Sequence, residues 1–270
     1  MPTTPAMSTR PLRVLLPLAA AFSIIGQTGS APVAYAQAPA TPLSIARVDT
    51  LLATNQLPAA VAIAEQALAA SPRQFDVLWR ASRVRVLQGD VAAPKSKGQE
   101  KAYKDAFALA ERVIKANSVA PDGYLRRAAA AGKVALFAGT LDAADYVVQA
   151  KEDAERVIAM PGAPSILVAS AEYILGRTHL KLTETPRPLR MPLGLGFGNL
   201  ADALKHLRRA TELRPGFVMF QLEYGRALIE DGNAAAARTT LQGVAALAEQ
   251  EIGDDGRKRE ALDLLRTLKP

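Results

Sequence analysis

Cysteine is absent from the 270 residues, and histidine occurs twice, as His179 and His206. A disulfide framework, a thiolate metal site and a cysteine nucleophile are therefore excluded. A zinc ion would have to rest on two imidazoles and carboxylates. Aromatic residues are scarce at 5%. The core must then be built from Ala, Leu, Val and Ile, a mix that favours helix over strand. No block of like charge stands out among 33 basic and 26 acidic residues, so no nucleic-acid partner is expected. What is present is a hydrophobic share of 49% against 22% charged residues, the balance of a globular chain and not of a disordered one.

Residues 1–36 carry no acidic residue. Arg10 and Arg13 precede an apolar run, Val14 to Ile25, broken by Pro17 and Ser23, and a small, polar stretch ends in Ala34-Tyr35-Ala36. Basic, then apolar, then A-x-A is the order of a cleaved secretory signal. The run falls short of the roughly 20 residues that span a bilayer, so no stable membrane anchor is expected. Without cysteine the chain cannot be a lipoprotein. An organellar transit peptide shares the acid-poor, Arg-bearing composition and is the alternative. The expected organisation is a signal peptide at 1–36, a linker at 37–42 and one domain at 43–270, exported to the periplasm or cell envelope or secreted. Loss of the leader lowers the formal charge from +7 to +5, because it removes two Arg and no acid.

From Leu43 onward, apolar residues recur at three- and four-residue steps between Pro, Gly and Asn breakers, as helices facing a core require. No stretch alternates long enough to be a strand. Ala60, Ala64, Ala67 and Pro72 share their spacing with Ala203, Leu207, Ala210 and Pro215. Ala106-Ala110-Val113, Ala150-Ala154-Val157 and Ala237-Leu241-Val244 repeat the first two steps. This is the mark of the second helix in a helix–turn–helix unit, where small residues let helices approach. First helices carry a small residue at Ser82, Gly176 and Gly225, and Gly225 precedes Ala237 by the interval of the 34-residue tetratricopeptide pattern. Gly89 and Gly232 are placed at its turn. The expected pairs are 43–53 with 57–70, 74–88 with 99–117, 122–138 with 141–159, 164–182 with 198–213, and 217–230 with 233–250. A capping helix follows at 255–268. The fold class is all-α, a tetratricopeptide-like helical-repeat solenoid of about five antiparallel pairs with a cap. Insertions at 94–98 and 183–198 interrupt the period.

The segment Phe75-Asp76-Val77-Leu78-Trp79-Arg80-Ala81-Ser82-Arg83 resembles the "LWR-A-RA" segment of the regulator of microtubule dynamics family. Tyr103, Ala106, Ala110 and Asn117 resemble its next helix. The fourth pair, with its insertion, Ala203, Arg209-Ala210, Pro215 and Phe217, is similar in order and spacing. The resemblance spans roughly 43–265. The insertion departs from it, with Arg187, Arg190 and Met191 in place of an aromatic-rich stretch. The resemblance implies a tetratricopeptide-like fold and a non-catalytic interaction role. The microtubule association of eukaryotic relatives does not carry over to an exported chain.

No catalytic residues, cofactors or metal ligands are expected. Gly194-Leu195-Gly196-Phe197-Gly198 lacks the Gly-Lys-Ser/Thr ending and the preceding strand of a phosphate loop. His179 ends one helix and His206 lies within the next, positions from which they can meet across the helix pair, but without an organised carboxylate set they are weak grounds for a metal. Asp142, Asp145, Glu152, Asp153 and Glu155 alternate with Lys151 and Arg156 as a solvated face does.

One constellation rises above this background. Arg follows the small residue at Ser82-Arg83, Gly176-Arg177 and Gly225-Arg226, and Trp79, Tyr173 and Leu222 lie one turn earlier on the same face. Arg126 takes the corresponding place in the third repeat. The candidate binding residues are thus Trp79, Arg83, Arg126, Tyr173, Arg177 and Arg226, lining a concave groove. Guanidinium forks suit planar anions, so the expected partner is a protein or peptide, anionic in character. The alternative is that these Arg pair with Glu172, Glu223 or Asp76 and hold the stack together, since ion-pair networks and binding sites look alike in sequence. Two functions follow: an exported scaffold with an open peptide groove, or a periplasmic small-ligand-binding accessory component of a solute transporter, its pocket closed by residues 183–198.

Overall fold

Ser96, Asn199 and Asn233 each close a polar loop and open a helix. Their side chains accept from the backbone N–H of Gln99 (3.1 Å), Asp202 (2.8 Å) and Ala236 (3.1 Å), satisfying a donor that the first helical turn leaves orphaned. At Ser96 the bond is reciprocated one residue upstream, where the Lys95 N–H donates to Gln99 Oε1, in the manner of a capping box. Pro58 and Pro121 lie in first turns, where a missing N–H costs nothing.

The computed structural model describes residues 42–268. The leader, its cleavage site and the linker as far as residue 41 lie outside the described residues. The unit from Ala38 to Pro270 is described by itself. Among the described residues there are twelve α-helices and no strand: α1 (Pro42–Ala53), α2 (Leu57–Ala70), α3 (Phe75–Val91), α4 (Lys97–Ala116), α5 (Pro121–Val134), α6 (Thr140–Ala159), α7 (Ser165–Thr183), α8 (Arg187–Arg190), α9 (Leu200–Leu213), α10 (Val218–Glu230), α11 (Ala234–Ala246) and α12 (Asp254–Thr267). A 3-10 turn, Met191–Leu193, follows α8.

The pairs are α1/α2, α3/α4, α5/α6, α7/α9 and α10/α11. First helices touch first helices in order, α1 to α3, α3 to α5, α5 to α7 and α7 to α10, and each second helix packs on the next first helix. α12 rests on α10 and α11. This is the two-layer connectivity of a tetratricopeptide-like stack, in which no pair covers its own apolar stripe and the neighbour does. The core is the Ala/Leu/Val set anticipated: Ala60, Ala106, Ala110, Ala154, Ala203, Ala210 and Ala237 are all fully buried.

The small residues mark the closest approaches. Ser82 Oγ donates to the Ala106 carbonyl at 2.8 Å. A Cβ on Gly176 would stand 2.5 Å from Leu207 Cγ and 2.9 Å from its amide nitrogen, and one on Gly225 would stand 2.5 Å from Leu241 Cδ2.

Three boundaries differ from the sequence reading. α3 runs on to Val91, so Gly89 is not at the turn; it sits inside the helix, where the Tyr103 ring occupies the space of a side chain. Gly232 does make its turn, at φ +76°, a conformation that costs other residues. α5 stops at Val134 and finishes in a turn in which the Phe137 N–H donates to the Val134 carbonyl. α11 stops at Ala246, four residues early, and the chain from Leu247 to Gly253 leaves as a non-helical connection.

The long insertion is tied internally. Arg190, 6% exposed, donates to the carbonyls of Thr185, Leu195 and Gly198. Phe197 stands edge-on to His179 (5.5 Å) and 5.4 Å from the Lys151 ammonium. The insertion is therefore turned toward α6 and the end of α7.

Candidate functional site

Trp79 and Arg83 project from α3 and Arg126 from α5, and the structure brings these three together. The Arg126 guanidinium carbon lies 5.8 Å from the centre of the Trp79 ring. Trp79 donates its indole N–H to Asp76 at 3.1 Å and carries a second cation, Arg80, at 4.0 Å. Arg80 in turn reaches Asp49 on α1 at 2.8 Å. Arg83 is shared between Asp49 (3.4 Å) and Glu251 (3.1 Å). Arg126 is less well provided for. Its Nε is buried with no acceptor. Burial, and after it the charge of Arg83, pull the guanidinium down to about 10, still protonated at neutral pH.

Tyr173, Arg177 and Arg226 form a second group on α7 and α10, centred on Glu223. This carboxylate, on the first helix of the fifth pair, is 6% exposed. It accepts from Arg177 Nη1 at 2.6 Å and Arg226 Nη1 at 2.9 Å. Arg226 also reaches Glu260 of α12. Tyr173 stacks on Phe220 at 5.0 Å, and burial raises its hydroxyl above the ordinary phenol value. Arg177 is held above its ordinary value by Tyr173 and then Glu223, against the opposing effect of burial. With 45% of its side chain exposed, Arg177 is freer than Arg83 (25%) or Arg226 (29%). Leu222 is core, buried among Val218, Leu241 and Val244.

Four groups that the sequence did not single out belong to this face. Arg80 has a local signal, since it stands in the LWR segment. Asp49 has none. Glu251 has none either, because its partner Arg83 is remote in sequence, and neither does Arg214. Arg214 covers the Phe217 ring at 3.6 Å and donates to Gln250 at 3.0 Å. Of the three carboxylates named as possible internal partners, Glu223 takes that role for Arg177 and Arg226. Asp76 serves Arg80 and Trp79. Glu172 faces His206 Nδ1 at 2.6 Å instead.

Two hollows lie away from this face. One, about 520 Å³, is in the insertion between Thr183, Arg187 and Asn199; the other, about 500 Å³, lies between α6, α7 and α9 beside Glu172 and His206. Among the described residues no set of three or more His, Asp or Glu is grouped to hold a metal, and no helix is long and apolar enough to cross a membrane.

A family model described as regulator of microtubule dynamics protein 1-3 matches residues 44–269. No curated protein matches the sequence to a significant degree. Among solved structures, the chain is similar to TTC0263, a thermophilic tetratricopeptide protein of Thermus thermophilus. The identity is 14% over 82% of this chain and 97% of that one, with a TM-score of 0.60. It is also similar to YrrB, described as a tetratricopeptide protein with an unusual peptide-binding site (15% identity, 83% and 90% covered, TM-score 0.42). A third is MamA (14%, 86% and 98%, TM-score 0.44). At 14% identity the likeness to TTC0263 concerns the fold.

Proposed function

The chain belongs to the regulator of microtubule dynamics protein 1-3 family, matched over residues 44–269, and from that premise we propose that it is a non-catalytic tetratricopeptide-like scaffold that binds an anionic protein or peptide on the face of its first helices. The observation carrying this reading is the Arg set itself. Arg83, Arg126, Arg177 and Arg226 stand on α3, α5, α7 and α10, helices that touch in that order, and Arg126 keeps a buried donor with no acceptor. A buried N–H without a partner costs about 1–3 kcal/mol, so an incoming carboxylate relieves a deficit as well as gaining a bond. The buried carboxylates Asp153, Glu223 and Asp254 are each engaged by Arg, Asp153 with Arg127 at 2.7 Å, which is the use a scaffold makes of them. The insertion packs through Phe197 on Lys151 of α6 and His179 of α7, which favours an open face over a lidded pocket for a transported solute.

We further propose that the protein is exported with its leader removed after Ala36, a reading that rests on the basic, apolar and Ala34-Tyr35-Ala36 order of residues 1–36. N-terminal sequencing of protein taken from cells should return Gln37; an intact Met1 or Met7 would count against export.

The binding reading is tested with the full mature chain and an acidic peptide. Affinity should fall steeply with salt, because exposed charges are screened over about 10 Å at 0.1 M. Arg177→Ala should weaken capture while leaving the melting temperature nearly unchanged, since Arg226 still holds Glu223. If Arg177→Ala and Arg226→Ala lower the melting temperature and leave capture intact, the Arg set is structural.

A further inference from the structure

The Arg83 end of the proposed binding face is already in contact with a piece of the chain's own sequence. The connection between α11 and α12 reads Leu247-Ala248-Glu249-Gln250-Glu251-Ile252-Gly253 and runs into Asp254-Asp255, an acidic segment. Its Glu251 carboxylate takes Arg83 Nη2 at 3.1 Å, 168 residues away in sequence. Its Ile252, 6% exposed, belongs to the same apolar cluster as Ile45 and Val48 of α1 and Leu78 and Ala81 of α3, with Trp79 packed against that cluster. The segment is held in a bent, non-helical form. Gly253 turns it at φ +87°. Asp254 Oδ2 accepts from the N–H groups of Gln250 (2.9 Å) and Glu251 (3.0 Å). Arg214 and the Gly216 carbonyl hold the Gln250 side chain at 3.0 and 2.8 Å.

We propose that the residues around Glu251-Ile252 are the resident occupant of that face, and that an outside partner binds by presenting the same pair of groups, a carboxylate followed by a branched aliphatic side chain, and displacing them. This deepens the binding reading above and rests on it. Two features argue for displacement over a permanent tie. The occupant is an irregular connection and not a packed helix, so its release breaks few backbone bonds. It also fills the site incompletely: Glu251 satisfies Arg83 but leaves Arg126 Nε, on the neighbouring helix, without an acceptor. A partner that serves both guanidinium groups outdoes the resident. It has to, because a tethered segment competes at an effective concentration on the order of millimolar.

Trp79 is the chain's single tryptophan and lies in this site, so its fluorescence reads occupancy directly. The probe is a synthetic peptide of residues 247–255, titrated into the full mature chain and into its Glu251→Gln and Ile252→Ala variants. Both variants should bind the peptide at least about tenfold more tightly than the wild type, since apparent affinity scales with the fraction of molecules whose site is open. A peptide carrying Gln and Ala at the positions of Glu251 and Ile252 should bind neither. Equal affinity in wild type and variants, or equal affinity for the two peptides, overturns the proposal. Amide hydrogen exchange across 249–253 separates its failure from that of the broader reading. Slow exchange in the wild type that accelerates in Glu251→Gln is expected; fast exchange in the wild type shows that nothing is displaced, and salt-sensitive capture of other acidic peptides would then still stand. Absence of any acidic-peptide binding, in every variant, defeats both.

Discussion

Two residues on this protein carry charge under opposite constraints. Glu223 is a buried carboxylate with two guanidinium partners, so loss of either leaves it paired. Arg126 is a cation whose Nε has no acceptor and which feels, after burial, the charge of another cation, Arg83, most strongly. The first arrangement is what a stack uses to hold itself together; the second is a cost that a stack alone does not need. A third buried group, His179, gives a test at this scale. Its Nδ1 accepts from the Asn199 N–H at 3.4 Å, which requires a neutral ring, and burial lowers its value below the ordinary imidazole. The unfolded chain therefore takes up a proton near pH 6.5 that the folded chain refuses. Stability associated with His179 is complete above that pH and is lost as pH falls toward the lowered folded value. The melting temperature of the wild type should drop between pH 7 and 5 by more than that of His179→Gln. Parallel curves for the two proteins would show that the ring is free to charge in the fold.

At the scale of the helix, the spacing of small residues decides which substitutions the stack accepts. Gly176→Ala brings a Cβ against the backbone nitrogen of Leu207 as well as its side chain, and Gly225→Ala meets only the side chain of Leu241. Overpacking of about 1–3 kcal/mol is expected at both, with Gly176 the worse, because a backbone atom cannot rotate away. Gly243 lies in α11 with no atom within 4 Å of a new Cβ, so Gly243→Ala should stabilise by about 0.5–1 kcal/mol. Denaturant unfolding of the three variants checks the order. These elements were legible in the sequence because their determinants are local: Pro, Gly and Asn break the helical pattern, and the Ala and Gly steps mark the contacts. The early end of α11 was not legible. Residues 247–250 continue the helical pattern, and what holds the connection out of it is tertiary: Arg214 and the Gly216 carbonyl hold Gln250, and Arg83 with the apolar cluster of α1 and α3 holds Glu251 and Ile252. Separation in sequence likewise hid both acids that serve Arg83: Glu251, 168 residues away, and Asp49, 34 residues away. The six candidate residues could be read off the repeat because each occupies a repeated position; the acids that answer them do not.

Across the whole of the described residues, the unusual contact is the one between the second pair and the connection that precedes the last helix. In helical arrays whose units meet only their neighbours, the ends open first and independently. Here Arg83 and the apolar cluster of α1 and α3 hold residues that belong to the far end of the sequence. The wild type should therefore unfold in urea in one transition. Ile252→Ala, which removes the apolar half of the tie, should lower the m-value or split the transition, so that α12 and α1 are lost before the middle pairs. A variant that merely shifts the midpoint, with the slope unchanged, would show the ends to be joined by other means.

That contact also bears on how such a chain can evolve. Repeat proteins commonly grow or shrink by duplicating or losing a unit, because each added pair rests on the last and asks nothing of the first. In this chain Glu251 meets Arg83 at 3.1 Å only if the intervening pairs are present in their current number. A duplicated pair would carry Glu251 and Ile252 past the site they occupy, exposing an isoleucine and leaving Arg83 with Asp49 alone. Unit number is then inherited as a fixed trait, held in place by one ion pair and one buried side chain, while the insertion at 183–198, which touches neither, is left at liberty to vary.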